Sequence, residues 1–296
     1  MHPPEHPPMP RAPFAPVVSS SNAVSASVAA YWVLRVGAAL CFIGHGAFGF
    51  ITKAAWIPYF DVVGIPERWA WTLMPLVGAI DVLAGMAVLF APRALPLAYM
   101  VVWAFWTALL RPLAGESVFE TLERAGNYGV PLAFLVLTVI PRTTHPLFSL
   151  PSIVARLDAP SPDESRLARV RRALTWTTAL LLAGHGALGA LTGNSLLAEH
   201  YAAVGLPASA AATVGWFEIA LAGIVVWRPV TGLLLFVSAW KLVTESLFLV
   251  AGAPVWEFVE RAGSYAAPLA LAVLSMPGSL RGRRSPLAIT TEGTTL

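Results

Sequence analysis

The sequence predicts an all-α integral membrane protein with eight transmembrane helices, arranged as two tandem parallel four-helix bundles. Three observations predict this fold: an apolar composition, apolar segments of membrane-spanning length, and polar landmarks that recur in both halves. Of the 296 residues, 57% are hydrophobic and only 12% are charged. This is more apolar surface than one soluble core can enclose, so lipid is the expected solvent for much of the chain.

The apolar segments set the number of spans. Because a bilayer core about 30 Å thick takes about 20 helical residues, each segment near this length is a candidate span. Between the second and third, and between the sixth and seventh, proline beside arginine predicts a tight hairpin turn. The eight candidates cover residues 28–51, 70–91, 94–110, 118–140, 173–196, 206–227, 229–250 and 258–277.

The remaining segments divide the chain into units. Residues 1–27 contain seven prolines and no signal-peptide pattern, which predicts a disordered cytoplasmic tail. Residues 143–172 form a cytoplasmic linker rich in arginine and proline, and residues 279–296 form a second disordered cytoplasmic tail. The two predicted four-helix units are residues 28–142 and 173–278.

The distribution of basic residues predicts the topology. The tails, the linker and the two hairpin turns hold twelve lysines and arginines, against five in the opposite loops. By the positive-inside rule, both termini lie in the cytoplasm of a multi-pass protein, which we expect in the inner membrane of a bacterium. With four helices in each copy, both copies enter the membrane in the same direction, as in a parallel repeat.

The internal repeat is the most informative feature of the sequence, because it fixes the architecture. A Gly-His-Gly motif around His45 recurs around His185. A Val-Gly-Ile-Pro segment at 63–66 recurs as Val-Gly-Leu-Pro at 204–207, and a Glu-x-x-Glu-Arg-Ala-Gly segment at 120–126 recurs at 257–263. Apolar helices that were similar by chance would not repeat these polar landmarks in the same order.

Two carboxylates, Asp81 and Glu218, lie near the middle of the second helix of each unit. An ionisable group within hydrocarbon costs a few kcal/mol, so each needs a partner or a function. One interpretation is a hydrogen-bonded carboxyl that holds two helices together, and the other is a proton relay. His45 and His185, on the first helices, are expected to pair with them, which makes these four residues candidates for proton handling.

The repeated Glu-x-x-Glu-Arg segment places charged side chains on one helical stripe at the outer mouth of each unit. An arginine held there by two carboxylates is either a structural clamp or a contact for an anionic ligand. Lys241 and Glu245 break the symmetry, since the first unit has Ala104 and Ala108 instead. They predict an intrahelical ion pair or, alternatively, a working site in the second unit. The candidate pocket residues are Glu120, Glu123, Arg124, Lys241, Glu245, Glu257, Glu260 and Arg261.

Several classes of function are excluded. The modest net charge of +3 and the placement of the basic residues argue against a nucleic-acid partner. No metal site is predicted, and a single cysteine, Cys41, excludes intrachain disulfides and Cys-rich clusters. Haem ligation is disfavoured because both histidine rings would have to face one cavity. Phosphate-binding and hydrolase motifs are absent from the sequence.

These motifs resemble the DoxX family of four-helix membrane proteins, and residues 28–278 look like two such units fused. The resemblance rests on Arg35, the Gly-His-Gly motif, the Gly-Ile-Pro stretch, the helix with Asp81, and the Glu-Arg-Ala-Gly segment. The family includes DoxD-type subunits of thiosulfate:quinone oxidoreductase. The resemblance implies a redox accessory role beside a partner subunit in a lipid environment; the cofactor stays open, with quinone as one candidate. It is incomplete, since Gly49 and Gly189 replace a frequent family lysine.

The leading prediction is therefore a quinone-interacting or redox-complex subunit that handles protons within the membrane. A small-solute or proton-coupled transporter would use the same polar cavity. A non-catalytic scaffold, in which polar residues only specify helix packing, is the third alternative. The sequence leaves the substrate and the oligomeric state open.

Overall fold

A computed structural model describes residues 20–138, 157 and 163–276, and within these residues the secondary structure is helical, without strands. A 3-10 turn at Ala54–Trp56 follows the first helix. The helices are α1 (Ser20–Phe50), α2 (Ile57–Val62), α3 (Glu67–Phe90), α4 (Ala94–Leu113), α5 (Phe119–Glu123), α6 (Ala125–Thr138), α7 (Glu164–Ala190), α8 (Ser195–Ala202), α9 (Ala210–Trp227), α10 (Thr231–Val250), α11 (Val255–Glu260) and α12 (Ala262–Leu274).

Among the described residues, five helices are long and apolar enough to cross a membrane: α3, α4, α9, α10 and residues Ala26–Phe50 of α1. They indicate a membrane protein, but they are fewer than the eight spans that the sequence predicts. The predicted helix 118–140 is interrupted at Arg124, and its counterpart is interrupted at Arg261. The segments after these breaks are therefore shorter than a span.

Two further boundaries differ from the prediction. Helix α1 begins at Ser20, inside the predicted tail, and α7 begins at Glu164, inside the predicted linker. The side chain of Asp163 explains the second start, because it accepts a hydrogen bond from the Arg166 backbone N–H at 2.7 Å and caps the helix. Most of the linker, residues 1–19 and the C-terminal tail lie outside the described residues.

The polarity of the helices is reversed relative to a soluble protein. Large apolar side chains face outward, among them Leu83, Val102 and Trp227, while the charged Asp81 and Glu218 have no exposed surface. In water, the outward apolar side chains and the buried carboxylates would both cost free energy. In lipid, the apolar side chains are well solvated and the carboxylates are shielded from hydrocarbon, which supports the assignment as a membrane protein.

The helices of the two predicted units interlock. Helix α1 packs along α3, and its counterpart α7 packs along α9. Each of these first helices also packs against the last helices of the other unit, α1 on α11 and α12, and α7 on α5 and α6. The boundary between the predicted units is therefore an extensive helix interface.

Close backbone contacts at glycine explain why the Gly-His-Gly motif recurs. A Cβ atom on Gly44 would lie 2.3 Å from the backbone N of Glu260, and one on Gly184 would lie 2.2 Å from the backbone N of Glu123. Both contacts lie at the helix breaks of the opposite unit. Gly126 and Gly263 meet backbone to backbone, so the halves also touch at equivalent positions. Small residues of this kind let membrane helices approach closely.

We predict that Gly184→Ala lowers the stability of the protein by about 1–3 kcal/mol, because the new methyl group overlaps the backbone at Glu123. The matched control is Gly223→Ala in α9, where a Cβ atom meets nothing within 4 Å. Thermal unfolding in detergent measures both. Equal unfolding temperatures for the two variants would contradict the contact.

Candidate functional site

The first unit contains a histidine–carboxylate pair between α1 and α3. His45 Nδ1 lies 2.9 Å from Asp81 Oδ2, and the hydroxyl of Tyr99 on α4 donates to Asp81 Oδ1 at 2.9 Å. Asp81 is completely buried, and each of its two oxygens has a side-chain partner, as is usual for buried polar groups. The predicted pairing is confirmed, and the proton-handling role remains a prediction.

The second unit repeats the pair between α7 and α9. His185 Nδ1 is hydrogen-bonded to Glu218 Oε2. The other oxygen, Oε1, accepts from Trp240 Nε1 at 2.9 Å and lies 3.7 Å from Lys241 Nζ. A tryptophan on α10 therefore occupies the role that a tyrosine on α4 has in the first unit.

Lys241 and Glu245 form the predicted ion pair on α10, with Nζ 3.0 Å from Oε1. Both side chains are almost fully buried. The pair extends to the outer cluster, because Arg261 Nε lies 3.2 Å from Glu245 Oε2. Lys241 thus links the carboxylate of the histidine pair to the arginine at the helix break.

The two helix-break arginines lie in one charged cluster. Arg261 Nη1 lies 2.7 Å from Glu257 Oε2 and 2.9 Å from Glu260 Oε1, and Arg261 Nε lies 3.8 Å from Glu123 Oε1 of the other unit. Arg124 lies 3.4 Å from Glu123 and 3.8 Å from Glu120. The prediction of an arginine held by two carboxylates is therefore confirmed in both units, and the cluster crosses between them.

Several contributing residues were not predicted from the sequence. Lys53 lies after α1 and reaches Glu257 of the opposite unit at 2.5 Å. Arg111 lies at the end of α4 and pairs with Glu116 at 2.8 Å. Tyr99 and Trp240 complete the carboxylate contacts described above. The repeat spacing of α4 and α10 is a signal that could have indicated Trp240, whereas the contact of Lys53 depends on the packing of the two units.

A cavity of about 220 Å³ opens beside the first histidine pair. The His45 ring stacks on Trp56 at a centroid distance of 4.6 Å, and 23% of the His45 side chain remains exposed. The cavity wall is mainly aromatic and aliphatic, with a few polar groups. Its aromatic residues are Trp56, Tyr59, Phe60, Trp103 and Trp106, and its polar ones include His45, Arg111, Arg124, Asn127 and Glu260.

A second cavity, of about 360 Å³, lies over the charged cluster and reaches His185. The side chain of His185 is only 8% exposed. Tyr59 lines both cavities, and its hydroxyl is hydrogen-bonded to Glu116. Burial raises the pKa of this hydroxyl, and the neighbouring carboxylate raises it further, so Tyr59 is neutral at physiological pH. The charged lining comprises Lys53, Arg111, Arg124 and Arg261 with Glu116, Glu120, Glu123 and Glu257.

Comparisons with protein-family models, curated proteins and solved structures find no match to this chain. Its functional interpretation therefore depends on the geometry of the two cavities. Within the described part of the chain, no three or more His, Cys, Asp or Glu side chains are grouped so as to hold a metal ion.

We predict that Arg261→Gln destabilises the protein by about 3–5 kcal/mol, because it leaves several buried carboxylates without their cation. Arg68→Gln, at an exposed position at the start of α3, is the control and should leave the unfolding temperature unchanged. The yield of folded protein and its thermal unfolding in detergent are the measurements. If both variants unfold at the same temperature, the cluster does not stabilise the fold.

Proposed function

We propose that the chain consists of two DoxX-like units that cross a bacterial inner membrane eight times, with both termini in the cytoplasm. The five long apolar helices supply five crossings. In the proposal, α5 with α6 and α11 with α12 make two more as interrupted helices, and α7 makes the eighth. Interrupted helices are tolerated at membrane depth when the break is buried in protein, and Arg261 at one break is only 6% exposed.

We further propose that the first unit binds a quinone-type ligand and exchanges protons with it, while a redox partner subunit exchanges the electrons. Reduction of a quinone consumes equal numbers of electrons and protons, so a protein site needs a proton donor at the ring. One observation carries this proposal: the partly exposed ring of His45, paired with a buried carboxylate, opens into an aromatic-lined cavity. An imidazole ring can both donate and accept a proton, which suits this role.

The first unit is the better candidate because its histidine is accessible. The side chain of His45 lines the aromatic cavity and is 23% exposed, whereas that of His185 is 8% exposed and its partner Glu218 lies beside the buried Lys241. The sequence favoured the second unit only as one alternative, on account of its extra charges. We propose instead that those charges are structural and that the working site lies beside His45.

Proton-coupled transport of a small polar solute is the second candidate. The larger cavity favours it, because charges of both signs line it beside His185. Charged side chains within a membrane protein commonly mark the path of a polar substrate. A scaffold without a ligand would leave both cavities without a function.

The first test is ligand binding by the full chain purified in detergent. We expect quinone in the lipid extract and saturable binding of ubiquinone-1 by calorimetry, which His45→Ala weakens about tenfold through loss of a contact worth about 1.4 kcal/mol. His185→Ala is the matched control and should change the affinity less than twofold. Absence of both quinone and binding would refute the proposal.

The second test separates proton handling from packing. Asp81→Asn preserves the shape of the side chain and the oxygen that accepts from Tyr99, but it removes the negative charge and places an NH₂ group beside His45. We expect nearly normal folding and quinone affinity, with loss of the proton uptake that accompanies quinone reduction when an added chemical reductant supplies the electrons to reconstituted vesicles, measured with a pH indicator. Normal proton uptake would exclude this carboxylate from the pathway. Failure of Asp81→Asn to fold would support the packing role alone.

A further inference from the structure

Helices α4 and α10 occupy equivalent places in the two units but differ at the positions that face the histidine pairs. Tyr99 aligns with Phe236 and Trp103 with Trp240, at the same offset that relates Asp81 to Glu218. The aromatic frame is the same in both helices. Tyr99 and Trp103 stack at a centroid distance of 6.1 Å, as do Phe236 and Trp240.

In the second unit the indole N–H at this place has an acceptor in the protein itself, and a lysine lies between two carboxylates. The Trp240 indole N–H donates to Glu218 at 2.9 Å. Lys241 Nζ lies between Glu218 and Glu245, at 3.7 and 3.0 Å from their oxygens. Lys241 is among the largest fully buried side chains of the described residues. Beside Glu218 the space is therefore occupied by the Lys241 side chain.

In the first unit the same indole group has lost its acceptor. Asp81 is shorter than Glu218 by one methylene, and its second oxygen is taken by the Tyr99 hydroxyl at 2.9 Å. Trp103 Nε1 is consequently buried with no hydrogen-bond partner among the described residues. A buried donor without an acceptor is uncommon and destabilising.

The first unit also has empty space at this position. Ala104 and Ala108 stand where the second unit has Lys241 and Glu245, which removes two large side chains without leaving an unpaired charge. Both Trp103 and Ala104 line the aromatic cavity. Trp103, which carries the unpartnered indole N–H, and the small Ala104 therefore border the same cavity.

We infer that the cavity of the first unit binds one planar ligand with an acceptor oxygen, such as a ring carbonyl, and that Trp103 Nε1 donates a hydrogen bond to that oxygen. The aromatic side chains provide flat apolar walls for the ring. In the second unit, Glu218 accepts the hydrogen bond of the equivalent indole, and the Lys241 side chain occupies the space that the ligand would take in the first unit. The inference deepens the proposed function by naming the contact, and it relies on that proposal only for the choice of a quinone as probe.

Nuclear magnetic resonance of the indole groups tests this inference directly. The full chain in detergent micelles is labelled with ¹⁵N-tryptophan, and Trp103→Phe and Trp240→Phe assign the two resonances. Without ligand, we expect the Trp103 indole proton upfield of the Trp240 proton, because only the latter is hydrogen-bonded. Addition of ubiquinone-1 should move the Trp103 resonance downfield and leave that of Trp240 in place.

Binding measurements provide the second readout. We expect one ubiquinone-1 per chain, with affinity weakened about tenfold in Trp103→Phe through loss of one hydrogen bond. Trp240→Phe is the matched control, with less than a twofold change. The double variant Asp81→Glu with Tyr99→Phe imitates the second unit and should pair Trp103 internally, which moves its resonance downfield without ligand and weakens binding.

The outcomes separate this inference from the proposed function. If ubiquinone-1 does not bind but the ligand-free indole resonances differ as expected, the quinone proposal fails and the unpartnered donor stands. If ubiquinone-1 binds and Trp103→Phe has no effect on its affinity, the inferred contact is wrong. Two ligands per chain, or equal effects of Trp103→Phe and Trp240→Phe, would refute the difference between the units.

Discussion

The fold depends on pairing charges that lie inside a lipid-facing protein. Arg261 and the carboxylates around it join both units at the two helix breaks, and removing the arginine leaves several buried carboxylates without their cation. This requirement explains why α1 and α7 pack closely against the helix breaks, and why glycine lies at the points of closest contact. The ion cluster and the helix packing are thus one constraint, since the arginines can meet their partners only if the backbones touch.

Much of this arrangement could be predicted from the repeat. Helical period and spacing sufficed for the His45–Asp81 pair and for the ion pair of Lys241 with Glu245, because these contacts lie within one unit. The helix breaks could not be predicted, since hydropathy averages over the segment and does not register a local interruption at Arg124. The contact of Lys53 with Glu257 was equally inaccessible, because it depends on how two distant segments pack.

The two histidine pairs have the same geometry and different surroundings. A carboxylate that differs by one methylene selects a different aromatic donor in each unit, Tyr99 in one and Trp240 in the other. This small change leaves the Trp103 indole without a hydrogen-bond partner. On the same helix, two alanines stand where the other unit has Lys241 and Glu245. Sequence patterns indicate which residues differ, but only packing indicates that the differences act at one place.

The contact between Gly126 and Gly263 has a consequence for how such a protein can diversify. Two identical subunits that met through this interface would be bound by symmetry to carry the same residues at both sites. Covalent fusion removes that obligation while it keeps the interface. One half can then keep Lys241 as a buried structural residue, while the other half can carry smaller side chains that leave a cavity.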